Sequence, residues 1–291
     1  MRRRSKIAVV LTILTGLGLL VGLNTLGQVT GFLARRQSPA ERSALLAPHY
    51  RLLTPDTPPP YPALVLFSGC DGPRDNMERW ATMAWRQGWA SLIVDSHTPR
   101  GLDTLDLWRL VCAGQTLSGE VRAGDVAVAL ADLRALPQID SSRIVLLGAS
   151  HGGWAVLDYL SFVAGRPPPP GLTAWPDGSA EGNAAGLKGA ILLYPYCGAA
   201  SRVARDGWDL DIPVLMILAE GDLVTGDAPC RDVAERMAAQ GRPVSLVTFD
   251  GVTHGFDQQD RSALSTLVYD PAATLRALAL GRTFLDAAAG R

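Results

Sequence analysis

The sequence predicts an α/β fold with a mostly parallel central sheet flanked by helices. Three observations carry that expectation. Short, wholly apolar runs recur along the chain, with helical patterns between them. One run, residues 144–147, leads through Gly148-Ala149-Ser150-His151-Gly152 into the apolar stretch 154–162, which reads as strand, tight turn and helix. The glycine-rich loops all leave the carboxyl ends of the apolar runs, the edge at which such sheets bind ligands.

The chain has 291 residues, enough for one or two domains. A hydrophobic share of 47% suits a globular protein, and a net charge of -1 gives no reason to expect nucleic acid as a partner. The first segment stands apart from the fold. A basic leader, residues 1–6, precedes residues 7–26, a run of 20 positions with no charged residue. As a helix that run is about 30 Å long, the thickness of a bilayer core. A cleaved signal peptide would have a shorter apolar region and a small-x-small site, and residues 27–36 offer no good one. The sequence therefore favours an uncleaved signal anchor over residues 1–35, making the membrane a partner through residues 7–26. Secretion after cleavage is the alternative. Arginines on both sides of the span lean weakly toward an N-terminus inside and a catalytic part outside, in the periplasm or at the cell exterior.

Residues 36–60 read as a connector and edge region, with a first strand at 50–53 and a proline-rich stretch, 55–62, that cannot be a central strand. The globular part spans residues 61–291. Its first buried strand is 63–67, ending in the turn Ser68-Gly69-Cys70-Asp71-Gly72-Pro73. A helix follows at 76–87, with Asn76 as N-cap and Gly88 as its stop. The second strand is 89–94, and a loop carrying Cys112 leads to a long helix at 119–136. After the turn at Ser150 and its helix, residues 165–186 form a Pro/Gly-rich insertion longer than an ordinary connection, a functional flap or a loose excursion. Strands at 190–194, 213–219 and 244–249, a helix at 228–240 and a closing helix at 271–289 complete the pattern.

The pentapeptide around Ser150 has the shape a serine nucleophile needs. The hydroxyl must stand exposed where a base can reach it, and the flanking glycines allow the sharp turn. The helix beginning just after it leaves backbone N–H groups free to stabilise an anion. The base must be one of four histidines. His49 precedes the sheet, His97 sits after the second strand, and His151 adjoins Ser150 and points away from it. His254, in a glycine-flanked loop after the last strand, is the remaining candidate. Asp222, directly after the strand preceding the histidine-bearing one, is the expected acid, with Asp227 as the alternative; Asp257 is expected to cap local backbone. The order Ser150, Asp222, His254 is then Ser…acid…His. The amides of His151 and Cys70 are the expected oxyanion donors. Asp71 and Arg100 are candidate substrate-binding residues; Arg100 either faces an anionic substrate or bonds its own loop. None of the four cysteines has metal-ligand spacing, so no zinc or other metal is expected.

These stretches together resemble the dienelactone hydrolase family of α/β-hydrolases. The resemblance rests on Phe67-Ser68-Gly69-Cys70-Asp71-Gly72, on residues 94–101 (VDSHTPRG), on Gly148-Ala149-Ser150-His151-Gly152-Gly153, on Glu220-Gly221-Asp222 and on His254-Gly255-Phe256-Asp257, and covers roughly residues 60–290. It implies an α/β-hydrolase fold and hydrolysis of small-molecule esters or lactones without a cofactor. The chain departs from the family in carrying Ser150 where the namesakes use cysteine, in Ser68 where histidine is common, and in the 165–186 insertion. In such a sheet the strands before Cys70 and Cys112 are neighbours, as are those before Cys197 and Cys230. The resemblance thereby implies the disulfides Cys70–Cys112 and Cys197–Cys230, which suit an oxidising compartment. Two other readings stay open: a lipase- or peptidase-like hydrolase whose pocket is shaped by 165–186, and a membrane-tethered, non-catalytic binding protein on the same fold.

Overall fold

The computed structural model describes residues 2–261 and 265–290; Met1 of the basic leader, residues 262–264 and Arg291 lie outside it. The expected α/β-hydrolase architecture is present. A seven-stranded sheet runs in the order β1-β3-β2-β4-β5-β6-β7, and only β1 is antiparallel.

An apolar helix, α1 (Arg2–Val29), opens the chain and has no buried residue in its most hydrophobic window. The connector that follows is more ordered than its sequence suggests. Helix α2 (Pro39–Leu46) begins with a reciprocal capping box between Ser38 and Glu41, with proline at its first position. Strand β1 (Tyr50–Leu53) pairs at the sheet edge as expected. The proline-rich expectation needs correction, because β2 (Tyr61–Phe67) is a central strand that includes Pro62. Proline is tolerated there because pairing with β3 starts only at Ala63, and the register with β4 shifts between Tyr61 and Ala63.

Side chains of β2 alternate between two cores. Ala63, Val65 and Phe67 join one cluster, Leu64 and Leu66 the other. Against the second cluster pack α3 (Asp75–Arg86) and α10 (Pro271–Ala288), through Met77, Trp80, Ala277 and Leu285. Strand β3 (Ala90–Val94) leads to a short helix, α4 (Thr104–Asp106), continued by a π-helical turn over Leu107–Val111. The first cluster is covered by α5 (Gly119–Arg134), which enters β4 (Ile139–Ala149), and by α6 (His151–Phe162). Next come α7 (Ala180–Ala184), β5 (Leu187–Leu193), α8 (Arg202–Asp206), β6 (Val214–Ala219), α9 (Ala228–Ala239) and β7 (Val244–Phe249).

The 165–186 insertion is neither a flap nor loose. Leu172, Trp175 and Ala180 are buried in the first core, and Trp175 donates to the Arg166 carbonyl at 3.0 Å. A parallel bridge joins Gln37 to Leu172, so the insertion holds the segment leaving α1. A fully buried ion pair ties the same region inward. Arg42 of α2 and Arg100 both donate to one oxygen of Asp125 in α5, at 2.6 and 2.8 Å. Burial pushes the Asp125 carboxyl up, but the two guanidinium groups outweigh it and hold it below the usual carboxylate range.

Both disulfides form with the expected partners, Cys70–Cys112 and Cys197–Cys230. The second ties the loop after β5 to the first turn of α9. Replacing Cys197 and Cys230 together by alanine should cost about 3–4 kcal/mol through the loop it releases, read as a lower denaturation midpoint in detergent micelles.

Candidate active site

Ser150 stands between β4 and α6 at φ 52° and ψ -117°, a conformation rare for a residue with a Cβ. Its surroundings enforce the turn. A Cβ on Gly152 would lie 2.1 Å from the Phe67 carbonyl oxygen, and one on Gly148 would lie 2.5 Å from the Gly152 carbonyl oxygen. Both glycines are therefore required by close backbone approach. The Ser150 amide donates to the Leu193 carbonyl at 2.8 Å, fastening the turn to the end of β5.

The structure brings Ser150, His254 and Asp222 into one line. His254 Nε2 lies 2.8 Å from Ser150 Oγ, and its Nδ1 lies 2.6 Å from Asp222 Oδ2. Asp222 follows β6 and His254 follows β7, so adjacent strand ends supply the two. The carboxylate is fully engaged. The Val224 and Thr225 amides donate to Oδ1 at 2.7 and 3.2 Å, and the Thr225 hydroxyl donates to Oδ2 at 2.9 Å. Burial raises the Asp222 carboxyl, but the bonds from His254 and these amides prevail and hold it below its ordinary value. Asp227, the alternative acid, instead pairs with Arg231 at 2.9 Å on α9.

Asp257 does not cap local backbone. It is wholly buried, accepting from Trp80 Nε1 at 2.8 Å and from the Tyr194 hydroxyl, with Asn76 Nδ2 at 3.5 Å. Burial raises its carboxyl despite these donors. Tyr194 lies edge-on to the His254 ring at 4.7 Å, so the network fixes the imidazole from behind. Asn76 is accordingly not the N-cap of α3, which starts after Arg74 with no side-chain cap.

Cys70 and His151 both line the cavity around Ser150. Among the described residues, neither amide donates to another protein group. Behind them lies Arg122, a buried guanidinium that sequence reasoning missed. It donates to the Ser68 carbonyl at 2.8 Å, to Ser96 Oγ at 3.1 Å and to His151 Nδ1 at 3.1 Å. Burial lowers its pKa to about 10. Only its place in α5 signalled it, an arginine in the first turns between Val121 and Ala123. Its bond fixes the His151 tautomer with the proton on Nε2. Burial, then the Arg122 charge, lowers His151 to about 3, so the ring is neutral at physiological pH.

Asp71 also faces the cavity. Gln258 donates to it at 2.7 Å, and burial raises its carboxyl. Arg100 does not. It bonds the Ser96 carbonyl and Asp125, which corrects the expectation that it meets substrate and leaves its loop-bonding role. The cavity encloses about 340 Å³ and is mostly apolar, with Trp108, Trp154, Tyr196 and Leu267 among its walls. None of residues 165–186 lines it, so the insertion does not shape this cavity. Two residues of α1, Thr25 and Val29, do.

Comparison with known proteins bears out the resemblance read from the motifs. The model of the dienelactone hydrolase family matches residues 177–288, which include Asp222 and His254. A comparison with curated proteins finds no match. Among solved structures, a dienelactone hydrolase-like promiscuous phosphotriesterase from metagenomic libraries superposes with a TM-score of 0.59 at 17% identity, over 82% of this chain and 91% of its own. A putative dienelactone hydrolase from Klebsiella pneumoniae gives 0.61 at 14% identity, covering 81% and 91%. A thermophilic esterase from Thermogutta terrifontis gives 0.58 at 19% identity, covering 82% and 86%.

The neutral state of His151 has a measurable consequence. Its folded pKa lies below its unfolded one, so the unfolded chain binds the extra proton, and this contribution is lost as pH falls from about 6.5 toward 3. His151→Gln should therefore gain about 2 kcal/mol relative to the parent protein between pH 7 and pH 5. Denaturant titrations of both proteins at the two pH values check this, and His97, buried in both, cancels in the difference.

Proposed function

We propose that this α/β-hydrolase, similar to the dienelactone hydrolase family over its C-terminal part, is a serine hydrolase of carboxylic esters or lactones that works through an acyl-enzyme. The observation that carries the reading is the continuous hydrogen-bonded line from Ser150 Oγ through His254 to Asp222. In the first half-reaction Ser150 Oγ attacks the ester carbonyl carbon as His254 Nε2 takes its proton. The amides of His151 and Cys70 receive the oxyanion. The intermediate then collapses, the C–O bond breaks, and the alcohol leaves with the proton from His254. In the second half-reaction water attacks the acyl carbon while giving a proton to His254. Ser150 leaves with that proton, and the carboxylic acid is released.

Asp222 holds the Nδ1–H tautomer and stabilises the imidazolium formed in each half. Its lowered carboxyl pKa supports that role, because an ionised acid is needed throughout the working range. Arg122 acts behind the amides by holding the Ser68 carbonyl and the His151 ring, which keeps the turn in place before charge develops. No step calls for a cofactor. The insertion that the lipase- and peptidase-like alternative assigned to its pocket packs against the core instead. Against a non-catalytic binding protein stands the intact geometry of all three side chains.

The intact chain should react with a fluorophosphonate probe at Ser150, and Ser150→Ala should lose both labelling and p-nitrophenyl ester turnover. Asp222→Asn should lower kcat by about 10⁴-fold while the protein stays folded. Ester turnover unchanged in Ser150→Ala would sink the assignment.

A further inference from the structure

The cavity around Ser150 is not walled by the globular part alone. Thr25 and Val29, on the last turns of the apolar helix α1, face the same space as Ser150 and His254. The helix is clasped there. Asn24 Nδ2 donates to the Gln115 carbonyl at 2.7 Å, and Gln115 Nε2 donates to Thr25 Oγ1 at 2.7 Å. Beyond the helix, Gln37 exchanges backbone hydrogen bonds of 2.9 and 3.0 Å with Gly171 and Thr173. Gly31 packs directly on Pro170. The helix therefore meets the globular part at a fixed place, beside the cavity mouth.

The apolar span of α1 runs over Lys6–Val29, 24 residues. Counted from Lys6, a hydrocarbon core about 30 Å thick takes about 20 residues of helix, so its far boundary falls near Leu26. Thr25 and Val29 are four residues apart, about 6 Å along the axis. The headgroup layer of one leaflet is about 5–8 Å deep. The mouth is thus level with the zone where lipid ester groups lie. Around it the surface is apolar where a water-facing enzyme would be polar. Leu223 is 100% exposed and Phe32 87%, while Leu105, Trp108, Val224 and Val268 are also exposed. Each belongs to, or directly flanks, a segment that borders the cavity or the end of α1. No lysine or arginine lines the cavity among the described residues.

We propose that the substrate is an uncharged long-chain ester dissolved in the bilayer, which enters the cavity sideways past the end of α1 with its acyl chain still among the lipids. The inference rests on the reading of Ser150 as an acyl-transfer nucleophile. It adds where the ester comes from and which surface admits it. The apolar rim immerses in the headgroup zone, so the acyl chain moves from lipid to cavity wall without crossing water.

The test uses the full chain in phosphatidylcholine nanodiscs with two fluorogenic esters, 4-methylumbelliferyl oleate carried in the bilayer and 4-methylumbelliferyl acetate in water. The oleate rate should follow its mole fraction in the lipid rather than its bulk concentration. The double variant Leu105→Asp, Val268→Asp alters only the exposed rim. It should lower oleate turnover by about tenfold or more and leave acetate turnover within about twofold. Acetate turnover also reports that the variant is folded. Equal losses for both esters would show the rim to be structural and overturn the proposal. A rate that tracks bulk concentration would overturn it as well. Failure of the underlying chemistry looks different: neither ester is cleaved by the parent protein, and the fluorophosphonate leaves Ser150 unlabelled.

Discussion

The backbone at Ser150 is forced into a region that side chains disfavour, at a cost of about 1–3 kcal/mol. The rest of the site is arranged around that turn. Gly152 lies against the end of β2 and Gly148 against the start of α6, at distances that exclude any Cβ. Because the turn is wedged between β2 and β5, the hydroxyl projects where the ends of β6 and β7 deliver Asp222 and His254. Loosening any of these contacts would let the backbone relax to an ordinary φ and swing Oγ away from the imidazole. The sheet order is thus what converts a costly conformation into a fixed one.

A second constraint is electrostatic. Arg42 and Arg122, both buried, and the partly exposed Arg100 gather near one carboxylate, Asp125, and only Arg42 and Arg100 bond it directly. Arg122 is left to carbonyl, hydroxyl and imidazole acceptors. A buried guanidinium with neutral partners is expensive, and here its donors are spent on the two segments that flank Cys70 and His151. Burial first, and then this same charge, keep His151 neutral. Positive charge is therefore held by a guanidinium just behind the place where negative charge would form.

Strands, the order of the loops and the three residues in line were legible in the sequence because each depends on local pattern. A buried parallel strand must be apolar, and a sharp strand-to-helix turn must carry glycines. Of the histidines in loops at the carboxyl edge of the sheet, only His254 followed the last strand, where the order Ser…acid…His requires the base. Tertiary partners decided what stayed hidden. Arg100 could have faced a ligand, and only the position of Asp125 turns it inward. Asp257 is three residues from His254, yet its partners Trp80 and Tyr194 come from distant elements. Residues 165–186 read as loose because proline and glycine set that pattern, whereas Leu172 and Trp175 fix them to the core. The approach of α1 to the cavity left no local trace, since an apolar helix has the same sequence wherever it docks.

The bond between Cys70 and Cys112 joins the turn beside Ser150 to the loop whose Gln115 grips α1. One disulfide and two hydrogen bonds therefore connect the apolar helix to the turn beside Ser150. Thiols remain reduced in a cytosol, so that disulfide closes only in oxidising surroundings. Maturation then acquires a last step, the oxidation that completes the tether of the turn. A chain kept reduced would hold Ser150, His254 and Asp222 but lack the strut that braces the turn beside them, so the redox state of its surroundings sets how firmly that turn is held.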